Sequence, residues 1–328
     1  MTREELLEII NSHEKWLNGG DGVRADLHGV DLSYVNLCYA DLSRINLFGA
    51  NLHGANLRHA ILRNADLRHA NLTSTDLSNA SLAFTDLSDA DLHSANLSNA
   101  NLCYAKLNNT NLSRADMSKV DLRDTSLNNV CMDYADLNLI CMSGVKLKDV
   151  RMRYANLRNA DLSFAKLCRV NLYRANMTKI EMCNTSLINV NLNKANLSGA
   201  DLRCAELSEI VYDEDTAFYA LQCPEEGSFI GYKKAHGYIV KLEILADAKR
   251  SSATSRKCRC NKAKVLSITS PDGKIERPEV FSNYDPDFVY RVGEMVSVND
   301  FDDDRWNECS TGIHFFIRRE EAVQYMSN

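Results

Sequence analysis

From Leu27 to Leu207 every fifth residue is Leu or Met, through 37 consecutive units without a slip. Thirty-one are Leu and six are Met (Met117, Met132, Met142, Met152, Met177 and Met182). Two residues upstream of each, 21 of the 37 positions are Ala and the other 16 are Val, Ile or Thr, and the residue between is mostly Asp or Asn. At 3.6 residues per turn a period of five drifts off any single helical face, so a helix is excluded. The period of a strand accommodates it. Small apolar, polar, Leu reads as in, out, in, and two mainly polar residues then turn a corner. Repeated, strand and corner make a coil with Ala and Leu stacked inside and backbone amides pairing between coils. All four prolines (Pro224, Pro271, Pro278 and Pro286) fall beyond this stretch, as strands paired on both sides require. Only five of the 14 glycines lie inside the units, so the corners are assigned to ordinary polar residues.

These A(D/N)LXX units resemble the pentapeptide-repeat family, which implies a right-handed four-sided β-helix. The resemblance covers about 56% of the chain. Four sides predict a longer period of twenty, and the side chains obey it. Val130, Val150, Val170 and Val190 recur at that interval, with Tyr134 and Tyr154 at the corner of the same face and Phe84 above Tyr104 on another. Like residues in register resemble the cross-strand pairs that stabilise sheets. At four units per coil the array makes a little over nine coils, on the order of 45 Å long at roughly 4.8 Å per coil.

The open ends of such a coil need covers. Residues 1–24 supply one, a helix with a Thr2-to-Glu5 capping box and an apolar stripe of Leu6, Ile9, Ile10, His13, Trp16 and Leu17. Gly19-Gly20 stops it, and His13 reads as a packed histidine. Residues 25–209 are the β-helix, and 210–328 a small α+β domain. In that domain strands are expected at Tyr238–Leu245, Ala263–Ile268, Tyr290–Val298 and Gly312–Ile317, and a closing helix at Arg318–Met326. The whole chain is mainly β. The segments CPEEGSF, RKCRC and CSTGIHFF are similar to an uncharacterised module fused to pentapeptide repeats in phage and bacterial proteins, from which no activity carries over.

Composition narrows the function classes. With 45% hydrophobic and 25% charged residues the chain suits a folded soluble protein, and no apolar run approaches the ~18 residues of a membrane span. No signal peptide precedes the repeats, so the eleven cysteines read as reduced thiols of a cytoplasmic protein. A net charge of −6 does not announce nucleic acid, and nothing calls for a cofactor. Three features of residues 210–328 could carry chemistry. Cys258, Cys260, Cys309 and His314, with Cys223, are weak zinc candidates, since the two thiols of the C-x-C are expected on opposite faces of a strand and C-x4-H is loose spacing. Cys258 or Cys309 with His314 could form a nucleophile pair, although the His314 run reads equally well as a core strand. Lys249, Arg250, Arg256, Lys257, Arg259, Lys262 and Lys264, interleaved with hydroxyl residues, suit phosphate, a nucleotide or nucleic acid, against a solvated loop as the plainer reading.

The best-understood members of the family are acidic rods that resemble DNA and bind DNA gyrase, which implies a topoisomerase modulator as one role. Here residues 25–209 hold 19 acidic and 19 basic residues, a poor imitation of phosphate. The charges are sorted instead. Arg114, Arg151, Arg153, Arg174 and Lys194 fall beside Tyr134, Tyr154 and Tyr173, a composition typical of protein-binding surfaces. The expected function is therefore a non-enzymatic scaffold: a rigid rod that binds a protein partner and carries a C-terminal partner- or ligand-binding domain. DNA mimicry is the alternative, a phosphate-binding or enzymatic C-terminal domain is another, and a dimer is compatible with all of them.

Overall fold

The computed structural model describes residues 2–217, 223–224, 226–252, 256–303 and 310–325. It divides into two compact units, Met1–Ala217 and Phe218–Asn328.

The first unit opens with helix α1 (Arg3–Leu17), whose N-terminus carries the expected capping box: Thr2 Oγ1 accepts from the Glu5 amide, and Glu5 accepts from the Thr2 amide. Four parallel ladders follow, beginning at Asp26↔Asn46, Asp31↔Asn51, Asn36↔Asn56 and Asp41↔Ile61. Each step up a ladder is twenty residues, which is the four-sided coil. The first ladder climbs nine steps to Glu206, and its upper rungs are the strands β1 (Ser126–Asn128), β2 (Lys146–Lys148), β3 (Lys166–Cys168), β4 (Ser186–Ile188) and β5 (Glu206–Ser208). The coil continues past residue 209. Val211 bridges Asn191, Ala217 bridges Asn196, and the hydroxyl of buried Thr216 donates to the Leu192 carbonyl. Leu and Met of the repeat are buried almost completely from Leu42 to Leu202.

A regular repeat built around Asp or Asn, such as that of Asn46, satisfies all five of its backbone N–H groups, as burial between coils demands. In the first coils the Leu27 amide donates to Asn46 O, the Gly29 amide to Phe48 O, the Val30 amide to Leu27 O, and the Asn46 amide to Ala25 O. The remaining amide, between Leu and corner, has no coil to reach and is taken by the Asx side chain, as His28 N by Asp26 Oδ1. The same bond recurs at Ser33, Cys38, Ser43 and on up the rod. This is why the outward strand position is Asp or Asn rather than any polar residue. Inward threonines obey the same rule, Thr75, Thr85 and Thr185 each donating to a leucine carbonyl of the preceding coil.

The corners differ from the expectation of an ordinary polar turn. Each of the 37 corner positions from Gly29 to Glu209 has a positive φ near +60°, and 32 of them are not glycine. Where the next amide closes back on the Leu carbonyl, as Val30 N on Leu27 O, the positive φ at i+2 makes a type II turn. The left-handed conformation costs an L-residue about 1–2 kcal/mol. It is held because it points the corner amide at the next coil, as Tyr34 N at His53 O and Tyr134 N at Arg153 O.

The second unit is mainly strand. A four-stranded antiparallel sheet contains β6 (Phe229–Ala235), β7 (Tyr238–Ile244), β10 (Lys262–Thr269) and β13 (Met295–Ser297), ordered β13-β10-β7-β6. β8 (Arg250–Ser252), β9 (Cys258–Cys260) and β14 (Ile313–Phe315) form a second sheet, and β11 (Glu279–Phe281) pairs with β12 (Val289–Arg291). Tyr232 and Phe316 exchange both backbone hydrogen bonds and join the first sheet to the second. Helix α2 (Arg319–Gln324) closes the described chain. The run read as one strand from Tyr290 to Val298 is two, interrupted at Gly293, whose φ is +87°. Strand β6 has no clear alternation of apolar residues. At its Gly231 an added Cβ would stand 2.6 Å from the ring of Phe315, so glycine is there to admit that ring.

Two expectations follow. His13 is fully buried between helix and coil, where Nδ1 accepts from the Ala25 amide, so the proton is on Nε2, which donates to Ser43 O. Removing it in His13→Ala orphans both partners and should cost at least about 2 kcal/mol, or about thirty-fold faster amide exchange in the first coil. Burial holds the ring's pKa below 6.5. The unfolded chain therefore takes up the proton first, and the cap should be fully stable above about pH 6.5 and weaken as pH falls below it. Gly231→Ala should lower the C-terminal domain's stability by about 1–3 kcal/mol through overpacking against Phe315, measurable by thermal unfolding.

Candidate binding sites

The five-residue period stacks the corner residues of one edge twenty apart: Arg114, Tyr134, Tyr154, Arg174 and Lys194 form a single vertical column. Lower on the same edge stand Gly54, Ser74 and Ser94, with Tyr34 at its foot against Gly54, so small residues separate the Arg114–Lys194 run from the one large side chain of the first coil. Tyr134 and Tyr154 stack with centroids 4.7 Å apart and planes 3° from parallel. The Arg114 guanidinium lies 5.6 Å from the Tyr134 centroid. Arg174 closes the other end, 5.7 Å from the centroid of Tyr154 and 5.5 Å from that of Tyr173, which meets Tyr154 edge to face. The tyrosines remain accessible, with 53% of Tyr134 and 38% of Tyr154 exposed. Among the described residues no carboxylate lies within ion-pair reach of Arg114 or Arg174.

The other basic residues of this face are engaged. Arg153 forms a bidentate-like grip on Asp133 (2.6 and 3.0 Å), whose second oxygen accepts the Arg153 backbone amide at 2.9 Å. Arg151 reaches the same carboxylate at 3.5 Å and the Cys131 thiol at 3.0 Å. Burial pushes the Asp133 carboxyl upward, but the Arg153 hydrogen bonds outweigh it and hold it below the ordinary range. Lys194 pairs with Asp215 at 3.1 Å. Arg114, Tyr134, Arg151, Asp133 and Asp149 border a groove of about 580 Å³. Asp133 is the residue that sequence reasoning missed here: nothing in its own repeat shows that it serves two arginines one coil above.

The sequence-selected basic residues of the C-terminal domain are not gathered into one site. Arg250 lies in the protein's own carbonyl nest, donating to Pro224, Gly227, Leu245, Ala246 and Ala248. Arg259 is 2% exposed and donates to the carbonyls of Asp302 and Thr311. Lys249 pairs with Asp303, Arg256 with Glu321 and Lys262 with Asp247. Arg250 and Arg259 therefore act as internal struts.

The thiols and His314 are likewise apart. Cys258 and Cys260 do not point to opposite faces as expected: two residues apart on β9, they share one face in register with Phe315 and Ile313, because side chains alternate along a strand, while His314 is opposite Arg259 on the other face. Cys309 lies outside the described residues. The Cys223 thiol beside Cys258 and burial both raise the Cys258 pKa, the reverse of an activated nucleophile. Among the described residues no group of three His, Cys, Asp or Glu side chains is placed to hold a metal ion.

The same domain contains a cavity of about 590 Å³ with Phe288, Tyr290 and Phe316 among its apolar lining residues, and Lys233, Lys257, Asp285 and Asp300 among its charged ones. Lys233 projects from β6 to within 3.4 Å of His314 O and 5.8 Å of the Tyr290 centroid. Burial lowers its pKa to about 8. Neighbouring Lys234 is occupied by the carbonyls of Val323 and Tyr325 at the end of α2. The consecutive lysines in FIGYKKA were the available signal for this site, obscured because β6 does not alternate. Among the described residues no helix is long and apolar enough to cross a membrane.

Comparison with curated proteins returned no match. Among solved structures the chain is similar to HetL, a pentapeptide repeat protein involved in heterocyst differentiation regulation from the cyanobacterium Nostoc, at 29% identity over 64% of this chain and 94% of that one (TM-score 0.24). It is also similar to QnrB1, a plasmid-mediated fluoroquinolone resistance protein, at 13% identity over 58% and 92% (TM-score 0.31). A third is a pentapeptide repeat protein of the Arabidopsis thaliana thylakoid lumen, at 32% identity over 30% and 70% (TM-score 0.18). Residues 219–322 match a family of unknown function, DUF5758. The family described as pentapeptide repeats (8 copies) matches six overlapping or adjoining stretches between residues 25 and 210, more than half of the sequence, and the chain belongs to the pentapeptide-repeat family.

Proposed function

We propose that this protein is a non-enzymatic interaction scaffold of the cytoplasm whose rod docks a protein partner through the Arg114–Tyr134–Tyr154–Arg174 column, flanked by Tyr173 and Lys194. The observation that supports it best is the exposed, parallel tyrosine stack closed at both ends by arginines that, among the described residues, have no carboxylate partner. Each ring is anchored at a corner whose backbone is tied to the coils above and below. A partner therefore meets side chains already ordered, and little entropy remains to be lost on docking. Tyr and Arg also dominate interface energetics because they offer large area with few rotatable bonds, plus a polar edge. A guanidinium lying over a ring keeps its N–H edge free for a carboxylate. The complementary partner surface is flat and acidic. Mimicry of DNA toward a topoisomerase is the weaker reading, because the repeat region balances 19 acidic against 19 basic residues and this edge is basic.

Arg151 and Arg153 are unsuitable for a test, since a glutamate at either position would crowd the Asp133 carboxylate. Arg114→Glu combined with Arg174→Glu should leave circular dichroism and thermal unfolding unchanged. In affinity purification of the full-length chain from native-host extract, the reversal should remove the protein recovered with the wild type. Once that protein is identified, each single reversal should weaken binding by about 10- to 100-fold. Equal recovery by the double variant would contradict docking at this column.

A further inference from the structure

The cavity of the C-terminal domain has the size of a small-molecule site, about 590 Å³ against the roughly 300–1,000 Å³ typical of such sites. Its apolar side is built by Phe288, Tyr290 and Phe316. Beside them is Lys233, half-buried as a residue, whose ammonium lies over the Tyr290 ring and is desolvated by burial. Buried ammonium groups are ordinarily paired with a carboxylate, because desolvation without compensation is expensive. Lys233 has no such partner among the described residues. Its hydrogen-bond acceptor is the single carbonyl of His314, at a long 3.4 Å, and its other neighbours include the face of Tyr290 and the Cys260 thiol. The nearest acids of the lining do not substitute for a partner. Asp285 accepts the Asp287 backbone amide in its own turn, and neither Asp285 nor Asp300 comes within ion-pair distance of the ammonium. Lys257, on the same lining, adds positive charge and disfavours protonated Lys233 further. The depressed pKa of Lys233 fits this description: the group is a cation held where water has been removed and no anion supplied.

We infer that this cavity binds a small aromatic anion, whose carboxylate or phosphate pairs with Lys233 and whose ring lies against Phe288, Tyr290 and Phe316. The bound acid supplies the missing counter-charge, and the aromatic walls recover the apolar area of the ligand. A neutral ring of the same shape lacks the ion pair, and an anion without a ring lacks the apolar contact. The inference is separate from the docking column of the rod, and either can fail without the other.

The test is competitive amine labelling of the full-length protein near pH 8, read residue by residue by mass spectrometry, with benzoate, phenyl phosphate and benzyl alcohol as probes. At about ten times its dissociation constant, benzoate or phenyl phosphate should slow acetylation of Lys233 by about tenfold. Exposed Lys274 should label at an unchanged rate, and benzyl alcohol should not protect. Whichever anion protects identifies the acid group. Calorimetry should detect binding of that anion to the wild type and none to Lys233→Met with an unchanged unfolding temperature. If that variant misfolds, the wild-type labelling decides alone. Failure of both anions to protect at millimolar concentration, or equal protection by benzyl alcohol, would overturn the inference.

Discussion

The rod depends on one constraint: each coil must supply the acceptors for the amides of its neighbour. In a regular unit built around Asp or Asn, three of the five N–H groups reach across to an adjacent coil, one closes the corner, and one is taken by the Asx side chain. No group remains to tolerate an insertion or a proline, so the spacing of twenty residues is imposed by hydrogen bonding as much as by the packing of leucines. The same constraint forces 32 non-glycine residues into a conformation that single L-residues avoid. The local penalty is tolerable because it is offset, corner by corner, by a hydrogen bond that no other φ would make.

A scaffold with that property turns sequence spacing directly into surface geometry. Residues twenty apart stand about one coil apart on the same edge, close to the separation at which aromatic rings stack. Tyr134 over Tyr154, Phe84 over Tyr104 and Tyr39 over His59 all use it, at centroid distances of 4.7, 4.9 and 4.7 Å. What distinguishes the first of these is its ends. Arg114 and Arg174 extend the column in both directions with charge not spent on a neighbouring carboxylate, whereas Arg153 and Arg151 are tied to Asp133 and Arg169 to Asp149. The binding reading rests on that difference between spent and unspent arginines.

Much of this architecture was legible before any coordinates. Periods of five and twenty fix the four faces, and arithmetic alone places Arg114, Tyr134, Tyr154, Arg174 and Lys194 on one edge. Three things were not legible, each for a physical reason. The left-handed corners were hidden because residues such as Tyr34 and Arg44 carry no intrinsic preference for positive φ, and only the inter-coil hydrogen bond selects it. The role of Asp133 was hidden because its partners are a full coil away in the chain. In the C-terminal domain, without a repeat, local composition misdirected. The basic stretch from Lys249 to Lys264 reads as a phosphate site, yet Arg259 spends its guanidinium on the carbonyl of Thr311, far along the chain. Lys233, one of two consecutive lysines on a strand without alternation, lines the cavity. Cys258 and Cys260 share a face because residues two apart on a strand must, and His314 faces away because its register partner is Arg259.

The central claim is that binding is localised to one edge of an otherwise uniform rod. It is tested most directly by placing a photo-crosslinking aromatic residue at position 154, and in a separate chain at the exposed corner Leu139 on a neighbouring edge, and irradiating each in the native host. The account predicts a discrete crosslinked partner from position 154 and none from position 139. The same partner captured with equal yield from both edges, or from position 139 alone, would contradict it.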